Sequence, residues 1–298
     1  MTDELHVNEV GIKGLVYRSI KLTSNRSIRA LFLLTLVLSI SVGARAESDT
    51  SNSQPGAALP DAPQVQGQAS DDVTLRGVVP NIVKDQGAIW TSPFRLHGHD
   101  LKWAVPLVLV TGAAIATDHR TLRDVISLDP AFNNDNTNAS NVMIGGFIAA
   151  PVVLYGIGHY RDNEHARETG LLGAEALVDG VVVEQGMKLI FWRERPYQDQ
   201  GRGRFFQSGA GVDSSFPSSH SVLAWSAAAV IAGEYHNPWT QALVYTGAAG
   251  ISFTRLMGQQ HFPSDVIVGS ATGWLIGHYV YKHRHRYQPT SMNHHVSR

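Results

Sequence analysis

The sequence predicts an all-α fold, a bundle of about six principal helices, and three observations carry that expectation. Apolar stretches of helical length recur between polar turns, over 101–117, 140–158, 168–192, 220–235, 239–257 and 263–282. No alternating strand pattern of useful length interrupts them, and no repeat of roughly 34 to 50 residues is present. Glycine is plentiful at 28 residues, alongside much alanine, which suits closely packed helices.

The elements ahead of the bundle read as export machinery and spacer. Residues 1–29 carry Lys13, Arg18, Lys21, Arg26 and Arg29; an apolar run from Ala30 to Val42 follows, then Gly43-Ala44-Arg45-Ala46. A basic region, a short apolar core and an A-x-A end predict a secretory signal peptide over 1–46, with an uncleaved anchor as the alternative. At about 13 residues the run is short for a span, which needs roughly 20. Either way, Glu47 onward is expected to leave the cytoplasm, so the protein is assigned to the cell envelope. Residues 47–100 form a flexible linker and lead-in: 47–70 is rich in Ser, Pro, Gln and Ala, and 71–100 holds a short helix or irregular segment. The helical domain is expected over 101–285, and 286–298 is a basic, His-rich tail.

Composition excludes several function classes. The 24 basic and 25 acidic residues balance, so no nucleic-acid footprint is visible. Without cysteine there is no disulfide framework, thiol nucleophile or cysteine-based zinc site. No carboxylate and histidine spacing suggests a metal, so none is expected.

Two placements relative to the membrane fit the pattern. Most apolar cores are about 14–18 residues, near or below the spanning limit. The stretch 168–192 contains Glu175, Asp179 and Glu184, costly in lipid unless turned inward. If all six helices spanned after entry from outside, the basic tail Lys282–Arg286 would land outside, against the positive-inside rule. Dropping 101–117 from the spanning set removes that conflict; so does a globular domain in the periplasm. Both placements put the 193–219 loop and the 254–265 turn on the periplasmic side.

Three short patterns concentrate the chemistry. The first is Lys188-x6-Arg195-Pro196, two long basic side chains near a helix end that can converge on one anion. The second is Pro217-Ser218-Ser219-His220 at a helix start, where unpaired N–H groups and a hydroxyl form an anion nest. His220 adds a group that exchanges a proton near neutral pH. The third is Thr254-Arg255-x5-His261-x3-Asp265. Here Asp265 either favours its helix N-terminus or holds one imidazole nitrogen of His261, leaving the other to attack substrate. Three fixed cations, a donor nest and two histidines suit phosphoryl transfer, in which positioning and electrostatics carry the catalysis.

On these motifs the chain resembles the type 2 phosphatidic acid phosphatase and vanadium haloperoxidase superfamily, over roughly Glu168 to Tyr281. The resemblance implies an all-α fold, a phosphohistidine intermediate, and for its phosphatases no metal or other cofactor, with vanadate as an inhibitor. It implies that Lys188, Arg195, Arg255, Ser218 and the backbone N–H of Ser219 bind phosphate. It implies that His261 attacks phosphorus, Asp265 orients His261, and His220 protonates the leaving oxygen. Ser219 stands where glycine is usual, which would crowd the nest if that backbone needs positive φ; some members resembling dolichyl-pyrophosphatases share PSSH. Thr254 replaces serine and keeps the hydroxyl. The expected substrate is a lipid phosphate, an isoprenoid pyrophosphate or a small phosphomonoester. The alternatives are a vanadium-dependent haloperoxidase and a non-catalytic envelope protein that binds an anionic head group. Arg193, Arg202 and Arg204 suggest extra anion contacts. His283, His285, His294 and His295 read as a solvated tail, and His159 and His165 as part of a charged loop.

Overall fold

The computed structural model describes residues 75–207 and 213–287, so the expected signal peptide, the linker to residue 74 and the tail from residue 288 lie outside the described residues. Seven α-helices run through them: α1 (Leu75–Thr91), α2 (Leu101–Asp124), α3 (Pro130–Tyr160), α4 (Glu164–Phe191), α5 (Ser219–Glu234), α6 (Pro238–Met257) and α7 (Pro263–Arg284). No strand occurs among the described residues, so the expected all-α fold is present.

The six apolar stretches all lie within helices, and two findings extend the reading. Residues 75–91 form a full helix, α1, rather than an irregular lead-in. Helix α3 begins at Pro130, well ahead of the expected residue 140, through an Asn-rich run that lacks apolar periodicity. Its start is written in turn chemistry instead. The Asp129 carboxylate accepts the Ala131 N–H, and Pro130 occupies the first turn. Asn163 and Asn237 cap α4 and α6 in the same manner.

Helix α5 forms the centre because its sequence is apolar on every side. Ala224, Ala227, Ala228, Ala229 and Val230 are all buried, as expected for a helix without a polar face. Ala224, Ala228 and Ile231 pack with Ile144 of α3 and Val244, Ala248 and Ile251 of α6. Val230 packs with Leu172 and Ala176 of α4 and Val280 of α7. The approach of α7 to α5 is closer still. A Cβ on Gly269, Gly273 or Gly277 would fall 2.8 Å or less from the carbonyl oxygens of Ser218, Val222 or Ser226. These glycines, one turn apart, let the α5 backbone lie directly on α7.

Helices α2 and α3 have the opposite character. Both are long and apolar enough to cross a membrane by length and composition. Much of their apolar surface faces outward: Val108, Leu109 and Val152 are each at least 66% exposed. A single stripe on α2, ending at Asp118 and Leu122, turns inward.

Candidate active site

Five chain segments meet at one end of the bundle: the C-termini of α2, α4 and α6, and the N-termini of α5 and α7. Helix α4 delivers Lys188 in its last turn. The Lys188 ammonium donates to Ser219 Oγ at 2.7 Å and lies 3.3 Å from Glu184 one turn earlier. Ser219 Oγ in turn donates to Glu184 at 3.0 Å. The chain then leaves the helix at Trp192, which adopts the left-handed conformation (φ 39°) as the C-cap. A tryptophan there is strained, and the surrounding packing holds it.

That turn drives Arg193 inward. Its guanidinium donates to Asp265 Oδ1 (2.5 Å), Ser264 Oγ (2.6 Å), Asp118 Oδ2 (2.7 Å) and the Gly203 carbonyl (3.1 Å). It lies between the rings of Phe205 and Phe262. Arg193 is therefore not an extra anion contact: every direction of its fork is taken. Arg204 pairs with Glu194, and among the described residues Arg202 reaches only Gln200.

Two residues later Arg195 faces the site. It donates to Asp213 through Nε at 3.0 Å and to the Gln260 carbonyl through Nη1 at 3.2 Å. Among the described residues Arg255, in the last turn of α6, bonds only to the neutral groups Ser140 Oγ (3.2 Å) and Asn141 Oδ1 (3.3 Å), and its buried Nε has no hydrogen-bond partner there.

Ser218 precedes α5 and is fully buried. Its N–H donates to the Asp265 carbonyl at 3.1 Å. Its hydroxyl ends a relay in which Ser252 Oγ donates to Ser221 Oγ and Ser221 Oγ to Ser218 Oγ. Ser219 opens the helix with ordinary negative φ, so replacing glycine strains nothing there. The Thr254 hydroxyl donates back to the Gly250 and Ile251 carbonyls of its own helix and does not reach the site. His220 Nε2 donates to Asn141 Oδ1 at 3.0 Å. Asn141 thus ties α3 to both His220 and Arg255.

His261 is 1% exposed. Its Nδ1 donates to the Ser215 carbonyl at 2.8 Å, whereas Asp265 Oδ2 lies 3.7 Å away. Asp265 instead accepts the Phe262 N–H through Oδ2 and Arg193 through Oδ1. The hydrogen bond that fixes the tautomer comes from a backbone carbonyl, with the carboxylate behind it. That leaves Nε2 as the basic nitrogen of the ring.

The electrostatics follow from burial. Burial, then the Arg195 and Arg255 guanidiniums, hold His261 well below the usual imidazole range. Burial and Arg255 push His220 down to about 3. Burial lowers Lys188 against the pull of Glu184, and brings Arg255 down to about 10. Asp265 is raised to about 6 by burial despite Arg193. The pocket thus collects positive charge and keeps both imidazoles neutral.

Sequence spacing did not show Asp118, Asn141, Ser215 or the inward role of Arg193. It also missed two groups of possible ligands far from this pocket. His285 and His165 both bond Glu234, and His285 lies 3.5 Å from Glu168. Asp85, Glu175 and Asp179 converge between α1 and α4.

Residues 169–288 match the PAP2 superfamily. A 77-residue stretch, 25% of this chain, is 34% identical to a lipid A 1-phosphatase of Porphyromonas gingivalis, of which it covers 17%. The chain thus spans about a sixth of the length of that curated relative. No solved structure matches the chain.

Proposed function

Residues 169–288 match the PAP2 superfamily, and on that match we propose that the protein is a phosphatase acting on a phosphate ester of a lipid through a phosphohistidine intermediate. The observation that carries the reading is His261. Its Nδ1 is pinned to a carbonyl, and its remaining nitrogen is held neutral among Lys188, Arg195 and Arg255. A buried neutral imidazole beside three cations is a poor structural element and a good nucleophile toward phosphorus.

In the proposed reaction the phosphate oxygens sit among Lys188, Arg195, Arg255, the Ser218 hydroxyl and the Ser219 N–H. His261 Nε2 attacks phosphorus while the bond to the ester oxygen breaks. His220 gives that oxygen its proton. Water then attacks the phosphohistidine, His220 takes the water proton, and inorganic phosphate leaves. The cations keep His220 neutral before substrate arrives. A phosphate dianion offsets most of that positive field and lets the imidazole take up the proton it later donates. No step calls for a metal or other cofactor.

A lipid substrate is supported by the outward apolar faces of α2 and α3, which border the pocket through Asp118 and Asn141. It is supported too by the lipid A 1-phosphatase to which a quarter of the chain is similar. An exported, envelope-facing protein is part of the same proposal. The test is phosphate release from a diacylglycerol phosphate and from a phosphorylated glycolipid in mixed micelles, with EDTA present. Release by the native protein and none by His261→Ala supports the proposal. Release that depends on added metal, or that survives in His261→Ala, overturns it.

A further inference from the structure

Asp85 on α1, and Glu175 and Asp179 one turn apart on α4, are all fully buried. One oxygen of each lies within 4.8 Å of the others. The cation that reaches them is Arg284 of α7. It donates to Asp85 Oδ1 at 2.5 Å and lies 3.5 Å from Glu175 Oε1. The amides of Asn81 and Gln86 donate to Glu175 Oε2 and Asp179 Oδ1 at 3.4 and 2.8 Å. The second oxygen of each carboxylate is then left over. Among the described residues, Asp85 Oδ2, Glu175 Oε1 and Asp179 Oδ2 are buried without a hydrogen-bond partner.

Buried unpartnered acceptors are costly, and buried uncompensated charge is more so. Three ionised carboxylates against one guanidinium leave two negative charges (−3 + 1 = −2) with no access to water. Two protons or one divalent cation would restore neutrality. A cation seated among the three carboxylates would both offset that charge and give the leftover oxygens a ligand. The donor set is all oxygen, which favours a hard ion over zinc.

We propose that Asp85, Glu175 and Asp179 form a site for one hard divalent cation, calcium or magnesium, which latches α1 to the helical body. The histidine group at Glu168, Glu234 and His285 is different. Both Glu234 oxygens already bond imidazoles, and Glu168 Oε1 accepts the Arg286 and Tyr287 N–H groups. The latch stands apart from the phosphate pocket. Asp179 and Lys188 are nine residues apart on α4, or about 13 Å. It also reaches outside the family segment, since α1 precedes residue 169. The inference is independent of the proposed phosphatase chemistry.

The test uses the purified full chain, stripped with EDTA and dialysed. Calcium, magnesium and zinc chlorides are titrated separately, with bound metal measured by elemental analysis and unfolding followed thermally. One equivalent of calcium or magnesium should bind and raise the melting temperature. The fluorescence of Trp90, which packs on Gly186, should respond. Glu175→Gln/Asp179→Asn should weaken binding by at least about 100-fold. Because it removes the repulsion, this variant should melt no lower than the metal-free native protein. Should it fail to fold, Asp85→Asn is the second variant, with the same loss of binding expected. No uptake of calcium or magnesium by the native protein at millimolar concentration overturns the proposal. So does uptake that persists in the variants, or uptake of zinc alone.

Discussion

The two buried charged regions of this molecule have opposite signs. At one end Lys188, Arg195 and Arg255 crowd around two imidazoles, and Arg255 bonds only to neutral groups. Along the α1–α4 seam three carboxylates share one guanidinium. Helices α4 and α7 contribute to both: α4 carries Glu175, Asp179 and Lys188, and α7 carries Asp265 and Arg284. Between these extremes lies Arg193, as deeply buried as any of them but matched by Asp118 and Asp265. Burial alone therefore does not mark a binding group. At the pocket Glu184 and Asp213 pair two of the cations and Arg255 is left with neutral partners, whereas at the seam one guanidinium faces three carboxylates; on the readings proposed above, the excess of each sign calls for the opposite ligand.

The sharpest way to break this contrast is His261→Ala. If the cationic end is the chemical one, turnover should fall by at least about 10⁴-fold on both aryl and alkyl phosphates. Vanadate binding, measured calorimetrically, should persist in the same variant because the cations remain. The next effect belongs to Arg193→Met, which leaves Asp118 and Asp265 without a countercharge. It should cost about 3–5 kcal/mol in chemical denaturation and lower kcat as well. A variant as stable as the native protein would show that the matched network is dispensable. His220→Ala should lose roughly 10²–10⁴-fold on an alkyl phosphate and less on p-nitrophenyl phosphate, whose leaving group needs little acid help. Equal losses on the two substrates would remove the acid assignment.

The smallest expected effects are in the pH dependence of stability, and they again have opposite signs. His220 binds its proton at about 3 when folded, against an ordinary 6.5, so the unfolded chain takes up the proton first. Stability should fall as pH drops below 6.5, and His220→Gln should flatten that decline. Asp265 titrates at about 6 when folded, against an ordinary 3.8. Its contribution is most favourable below 3.8 and is lost as pH rises through 6; Asp265→Asn should remove that slope. Denaturation midpoints measured from pH 4 to pH 8 would read both.

The fold was legible because apolar periodicity marks buried helix faces, and α4 to α7 bury theirs. The start of α3 was not, because Asn133 to Asn138 carry no periodicity and the signal lies in Asp129 and Pro130. In the candidate site, the three motifs named side chains that the fold does bring together. They could not name Asn141 or Asp118, which come from helices ahead of the motifs and have no fixed spacing to them. Ser215 was hidden for another reason: it acts through its carbonyl, a group every residue has. Arg193 misled because an arginine two positions from Arg195 looks like a second anion contact until the left-handed turn at Trp192 sends it inward.

The glycine contacts between α5 and α7 have a consequence for how this architecture can diversify. Ser218, Ser219 and His220 sit on one of these helices and Asp265 on the other, with Gly269 lying against Ser218 itself. A methyl group at that position would push Ser218 and Ser219 away from His261 and Asp265, so the pair behaves as a single part that tolerates almost no redesign. Helices α2 and α3 touch the same pocket by only a few side chains, Asp118, Ser140 and Asn141, and their outer surfaces pack against nothing among the described residues. Substitutions there can reshape the pocket's rim while its machinery stays fixed, which makes these two helices the natural place for one catalytic unit to be fitted to different substrates.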